Sequence, residues 1–171
     1  MMIGGWAYSW RANHFFEFKR FPLNAYLHIP FCASICSYCD FTSFAGQENR
    51  VEAYVRALCL EIERSTLEGP LRTVYFGGGT PSLLPPENLK NILQALRQKA
   101  GFDPSAEISL EANPETVDLQ KLQAYRSLGV NRISFGAQSS QKEILKKLGR
   151  GHDWEQVRNH ILPPGMPVLK T

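Results

Sequence analysis

Four short apolar runs alternate with helix-like stretches, and that order constrains the fold more than any other feature of the chain. "AYLHI" (25–29), "RTVYF" (72–76), "EISLEA" (107–112) and "NRISFGAQ" (131–138) read as strands. Helices are predicted over 48–67, 85–101, 117–129 and 140–148. The second of these has Pro near its start and Gly101 at its end, and the third is stopped by Gly129. Strands alternating with helices imply parallel β/α units and an α/β class. In that architecture an active site gathers at the C-terminal ends of the strands. The unusual residues fall there: three cysteines after the first strand, a glycine run after the second, Glu111 ending the third and Gln138 ending the fourth.

Bulk properties narrow the function. The chain has 171 residues, 43% hydrophobic and 20% charged, as in an ordinary globular domain. Nineteen basic and sixteen acidic residues give a net charge of +3, too mild and too evenly spread to argue for nucleic acid. No apolar run approaches the roughly 20 residues of a transmembrane helix. The first twenty residues lack the pattern of a secretory signal. A cytoplasmic location is expected. Clustered cysteines there favour metal or redox chemistry over disulfides.

"IPFCASICSYCDF" (29–41) sets Cys32, Cys36 and Cys39 within eight residues. A tetrahedral zinc site needs a fourth ligand, for which His28 is the candidate. A dithiol pair leaves the third cysteine without a purpose. An iron–sulfur cluster is held by thiolates, normally four for a cubane, so three leave one iron open to another ligand. The fourth cysteine, Cys59, lies on a helix whose apolar face carries Val51, Val55, Leu58 and Ile62, and is read as a small buried hydrophobe.

The C-x-x-x-C-x-x-C spacing, with Tyr38 before its last cysteine, resembles the signature of radical S-adenosylmethionine (SAM) proteins. "YLHIPFCASICSYCDF", "VYFGGGTPSLL", "ISLEANPETVD", "GVNRISFGAQS" and "LGRGHD" resemble, in order and spacing, one branch of that superfamily. The branch holds the oxygen-independent coproporphyrinogen-III oxidases and the HemW-type heme chaperones. The likeness runs over about residues 23–158 and implies a partial (β/α) radical SAM barrel, truncated after about four β/α units. It also implies that Cys32, Cys36 and Cys39 hold a [4Fe–4S] cluster whose fourth iron takes the amino and carboxylate groups of SAM. Tyr26, Tyr38, Gly78, Gly79, Thr80, Glu111, Gln138 and Arg150 match SAM contacts, Arg150 through a carboxylate pairing. Taken alone, "GGGTPS" reads as a turn, since it lacks the features of a P-loop or a dinucleotide fingerprint.

Within the branch, the oxidases carry a further cysteine two residues after the third. Here that position is Phe41, and "CDF" resembles the chaperones, which bind heme and deliver it to respiratory proteins. The alternative is the oxidase, which uses a 5′-deoxyadenosyl radical to abstract hydrogen from propionate side chains. A Cys3His zinc module is the reading from another class. Residues 1–22, rich in aromatics, match nothing in the family, and Pro163 and Pro164 end a further helix that the resemblance leads one to expect before them. The expectation is therefore an incomplete barrel over 23–171, without the family's C-terminal domain and its heme site. Such a barrel is expected to leave apolar sheet exposed, which favours association.

Overall fold

The computed structural model describes residues 23–161, so the aromatic extension over 1–22 and the proline pair near 163 lie outside the described residues. The order is β1 (Leu23–Ile29), β2 (Phe31–Cys32), β3 (Phe44–Ala45), α1 (Val51–Arg64), β4 (Leu71–Gly78), α2 (Pro86–Lys99), β5 (Phe102–Ala112), α3 (Leu119–Ser127), β6 (Arg132–Phe135), α4 (Lys142–Lys147) and α5 (Trp154–Ile161). The four long strands form one sheet in the order β1-β4-β5-β6, every pair parallel. Each neighbouring pair is joined through a helix, as the alternation in the sequence requires.

Helix ends follow local chemistry. Pro86 opens α2 at its first position, where a missing N–H costs nothing, and Gly101 past its end has φ +74°. Asp118 caps α3 by accepting from the Lys121 amide at 2.7 Å.

Element boundaries differ from the sequence reading at several places. The helix expected from 48 is a 3₁₀ turn over Glu48–Arg50 followed by α1. β5 begins five residues before the expected start, because Asp103 Oδ1 accepts from the Ser105 amide and hydroxyl at 2.8 and 2.6 Å and folds the irregularity into the strand. β6 ends at Phe135, so Gln138 stands in the loop beyond it rather than on the strand, with φ +61°. The two-residue ladder of β2 and β3 was not foreseen.

Register explains the two faces of the sheet. Leu27, Ile29, Val74, Phe76, Ile108 and Leu110 point to one side, where they pack with Leu89, Ile92, Leu93 and Leu96 of α2 in the buried core. Each such side chain contributes about 1.5–3 kcal/mol by leaving water. The opposite face carries Tyr26, His28, Tyr75, Glu107, Glu111 and Arg132. This corrects the expectation of exposed apolar sheet: the face without helices is polar. "YLHI" and "ISLE" already alternate with period two, the pattern of strands with one apolar face. Among the described residues no helix is long and apolar enough to cross a membrane.

Candidate functional site

The site forms where the strands end. The cysteine loop leaves β1 and returns through the β2–β3 ladder, closed by a hydrogen bond from the Phe44 N–H to the Pro30 carbonyl at 2.7 Å. The exit of β4 is stitched against this loop. Gly79 N donates to Ile29 O at 2.9 Å, and Thr80 N to Phe31 O at 2.7 Å. Close approach is what the glycine permits: a Cβ on Gly79 would stand 2.7 Å from Phe31 O and 2.9 Å from Cys32 Sγ. Gly78 combines φ +113° with the His28 ring, which a Cβ would meet at 2.6 Å. Gly79 is thus a packing requirement of the cysteine loop, and Gly78 of the His28 ring.

A cavity of about 290 Å³ opens there. All three cysteines line it, with Tyr38, Gly78, Gly79, Thr80, Glu111, Gln138 and Arg150. Of the expected SAM contacts, Tyr26 alone lies outside that lining. Its ring stacks on Tyr75 at 6.1 Å, and its hydroxyl meets His28 Nδ1 at 3.2 Å. Cys32 is buried, Cys36 and Cys39 are half-buried, and no disulfide joins them. Cys59 sits half-buried on α1 against the core, away from the cavity, and burial pushes its thiol up.

Two residues carry charge into the cavity. Glu111 accepts from the Tyr75 hydroxyl at 2.6 Å on Oε1 and from Gly78 N at 3.2 Å on Oε2. That bond, then burial, pushes the Tyr75 phenol up to about 12. Burial, then Glu111, raises Tyr26, and burial, then Cys36, raises Tyr38. Arg150 Nη2 donates to Asn113 Oδ1 at 2.6 Å and to Gly136 O at 2.8 Å, while Nη1 lies 3.5 Å from Cys36 Sγ. Its Nε is buried without a partner, a cost on the order of 1–3 kcal/mol.

Three supporting residues were missed in the sequence. Tyr75 and Asn113 hold Glu111 and Arg150. His152, its side chain fully buried, meets Glu115 Oε2 at 3.1 Å and Ala137 O at 3.0 Å, and so ties the loop carrying Arg150 to those after β5 and β6. Asn113 and His152 lie in the motifs "LEANPE" and "LGRGHD", and Tyr75 alternates with buried Val74 and Phe76; these were the signals available. Lower down, Lys121 Nζ donates to Ser82 O at 2.6 Å and Thr116 O at 3.2 Å, and the Tyr125 hydroxyl to Leu84 O at 2.6 Å.

The donor set can be tested against the candidate groups. For zinc, His28 is unsuited: its Nε2 is engaged with Thr42 O at 2.7 Å and its Nδ1 with Tyr26. Among the described residues no three His, Cys, Asp or Glu side chains converge as ligands of a single ion must. A cubane makes a different demand, since its thiolates sit on separate irons. Three free cysteines around one cavity, with a glycine wall at Cys32, fit that demand.

The sequence model of the radical SAM superfamily matches residues 26–161. The chain belongs to the radical SAM superfamily.

Membership of the radical SAM superfamily implies a [4Fe–4S] cluster and SAM. A heme chaperone HemW of Synechocystis is 49% identical over 138 residues, covering 77% of this chain and 34% of that protein. Its Escherichia coli K12 counterpart is 39% identical over 141 residues, with 80% and 37% covered. An anaerobilin synthase of Escherichia coli O157:H7 is 39% identical over 133 residues, with 75% and 30% covered. Among solved structures, the radical SAM enzyme coproporphyrinogen III oxidase (HemN) of Escherichia coli superposes with a TM-score of 0.75 at 32% identity, covering 82% of this chain and 33% of that one. The chain spans about a third of the length of these relatives.

Proposed function

We propose that Cys32, Cys36 and Cys39 hold a [4Fe–4S] cluster and that SAM occupies the adjoining cavity. The observation that carries this is one cavity lined by all three cysteines together with Glu111 and Arg150. SAM brings an α-amino group, an α-carboxylate and a sulfonium, and a cavity bearing one carboxylate and one guanidinium complements both signs. Gly78, Gly79 and Thr80 line the methionyl end, Gln138 and Tyr38 flank it, and Tyr26 acts from beside it. Such a cluster, when bound, would supply electron transfer to SAM. The residues of this chain bind, orient and screen.

Within the superfamily the reading is a chaperone that carries heme to respiratory proteins in the cytoplasm. Support comes from Phe41 in "CDF" and from likeness to the HemW proteins. The oxidase reading has the likeness to HemN in its favour and Phe41 against it. Heme binding and delivery belong to the proposal for the whole protein.

The test is anaerobic reconstitution with iron and sulfide, then titration with SAM. The result expected is a broad thiolate-to-iron absorption, bleached in air, with a spectral change that saturates with SAM. Stoichiometric zinc in anaerobically purified protein, with no iron–sulfur absorption after reconstitution, overturns the reading.

A further inference from the structure

Three side chains from three loops form a continuous path between two cysteine sulfurs. Thr80 Oγ1 lies 3.6 Å from Cys32 Sγ and acts as donor. Arg150 Nη1 donates to Cys36 Sγ at 3.5 Å. Asn113 stands between them. Its Oδ1 accepts from Arg150 Nη2 at 2.6 Å, and its Nδ2 donates to Thr80 Oγ1 at 3.4 Å.

The path has a direction. Guanidinium is a donor only, so the Asn113 amide must turn its oxygen to Arg150 and its nitrogen to Thr80. Thr80 then accepts on a lone pair, which leaves its single proton for Cys32. Thr80 is 4% exposed, so water does not compete freely for that proton. Arg150 holds its place although its Nε is buried and unpaired, so its pose is set by the partners at its Nη atoms.

We propose that Asn113 is a positioning residue that aims the Thr80 hydroxyl and the Arg150 guanidinium at the sulfurs of Cys32 and Cys36, and so raises the reduction potential of the cluster. This rests on the reading of the three cysteines as cluster ligands. Reduction by one electron adds negative charge that spreads onto the thiolate sulfurs. Donors aimed at those sulfurs stabilise the reduced state, and hydrogen bonds to cluster sulfurs are a recognised determinant of potential. Arg150 adds a permanent positive charge.

The experiment is an anaerobic redox titration of the reconstituted chain, with dithionite as the one-electron reductant. The reduced cluster is read by electron paramagnetic resonance, and iron and sulfide are assayed alongside. Thr80→Val keeps the shape and removes the proton; Thr80→Ser keeps the proton. Thr80→Val should lower the reduced-to-oxidised ratio at fixed potential about tenfold, a shift of about 59 mV to more negative values. Thr80→Ser should stay with wild type. Asn113→Ala should shift the same way, and the double variant should shift by less than the two effects added, since Asn113 acts partly through Thr80. Full iron and sulfide with an unchanged midpoint in Thr80→Val and Asn113→Ala overturns the proposal while leaving the cluster reading intact. If Asn113→Ala fails to load, the Thr80→Val and Thr80→Ser pair decides. A wild-type chain that takes up no iron and sulfide overturns both.

Discussion

The Tyr75 hydroxyl donates to Glu111 Oε1 at 2.6 Å across two neighbouring parallel strands. The bond holds a carboxylate of the cavity from the polar face of the sheet. It also binds the phenol proton more tightly in the folded chain, where Tyr75 rises from 10.0 to about 12. A raised pKa contributes stability that is complete below the unfolded value and is lost as pH climbs through the folded one. Tyr75→Phe should therefore be less stable than wild type below pH 10, and the difference should close between about pH 10 and 12. Urea midpoints across that range check this. A difference that stays constant with pH contradicts the assignment.

Gly79 should tolerate no side chain. In Gly79→Ala the new methyl would press on Phe31 O and Cys32 Sγ, both fixed by the strand exit. A loss of about 1–3 kcal/mol is expected, with reduced cluster loading, measured by denaturation and iron content. Gly151→Ala is the control. Its Cβ meets nothing within 4 Å, so stability should change by no more than about 0.5 kcal/mol.

Replacing Cys32, Cys36 or Cys39 by Ala should abolish the iron–sulfur absorption, because in the proposed site each thiolate would hold a different iron. Cys59→Ala should retain it, since Cys59 packs on α1 against the core. Loss of iron in Cys59→Ala alone would reverse the ligand assignment.

His152→Ala should destabilise the loop that presents Arg150. It strands the Glu115 carboxylate and the Ala137 carbonyl beside a buried hole. The expected cost is about 1–3 kcal/mol. SAM affinity should fall with it, because Arg150 is anchored two residues away. Thermal melts and SAM titration on the same preparation separate the two effects.

Phe41 occupies the position where the oxidases carry a further cysteine, and it is 64% exposed on the cavity wall. Anaerobic incubation with coproporphyrinogen, SAM and reductant should form no protoporphyrinogen, even from a version extended to the length of the relatives. Clear turnover would transfer the chain to the oxidase reading.

Much of this architecture was legible in the chain itself. Period-two alternation in "YLHI" and "ISLEA", helical periodicity between the strands and glycine stops at 101 and 129 are local signals, because side-chain direction and backbone freedom are set within a few residues. The three cysteines announced themselves by spacing, the strand-end rule brought the glycine run, Glu111 and Gln138 to the same cavity wall, and Thr80 and Arg150 were named through the family resemblance. What the tertiary structure decided was pairing across long separations. No local pattern indicates that Asn113 faces both Arg150 and Thr80, that Tyr75 reaches Glu111, or that His152 joins loops 37 positions apart. Those contacts depend on strand register and loop closure, which bring distant residues together only when the whole sheet has formed. The polar face is the intermediate case: its alternation is written in the sequence, but only the register of four parallel strands assembles it into one surface.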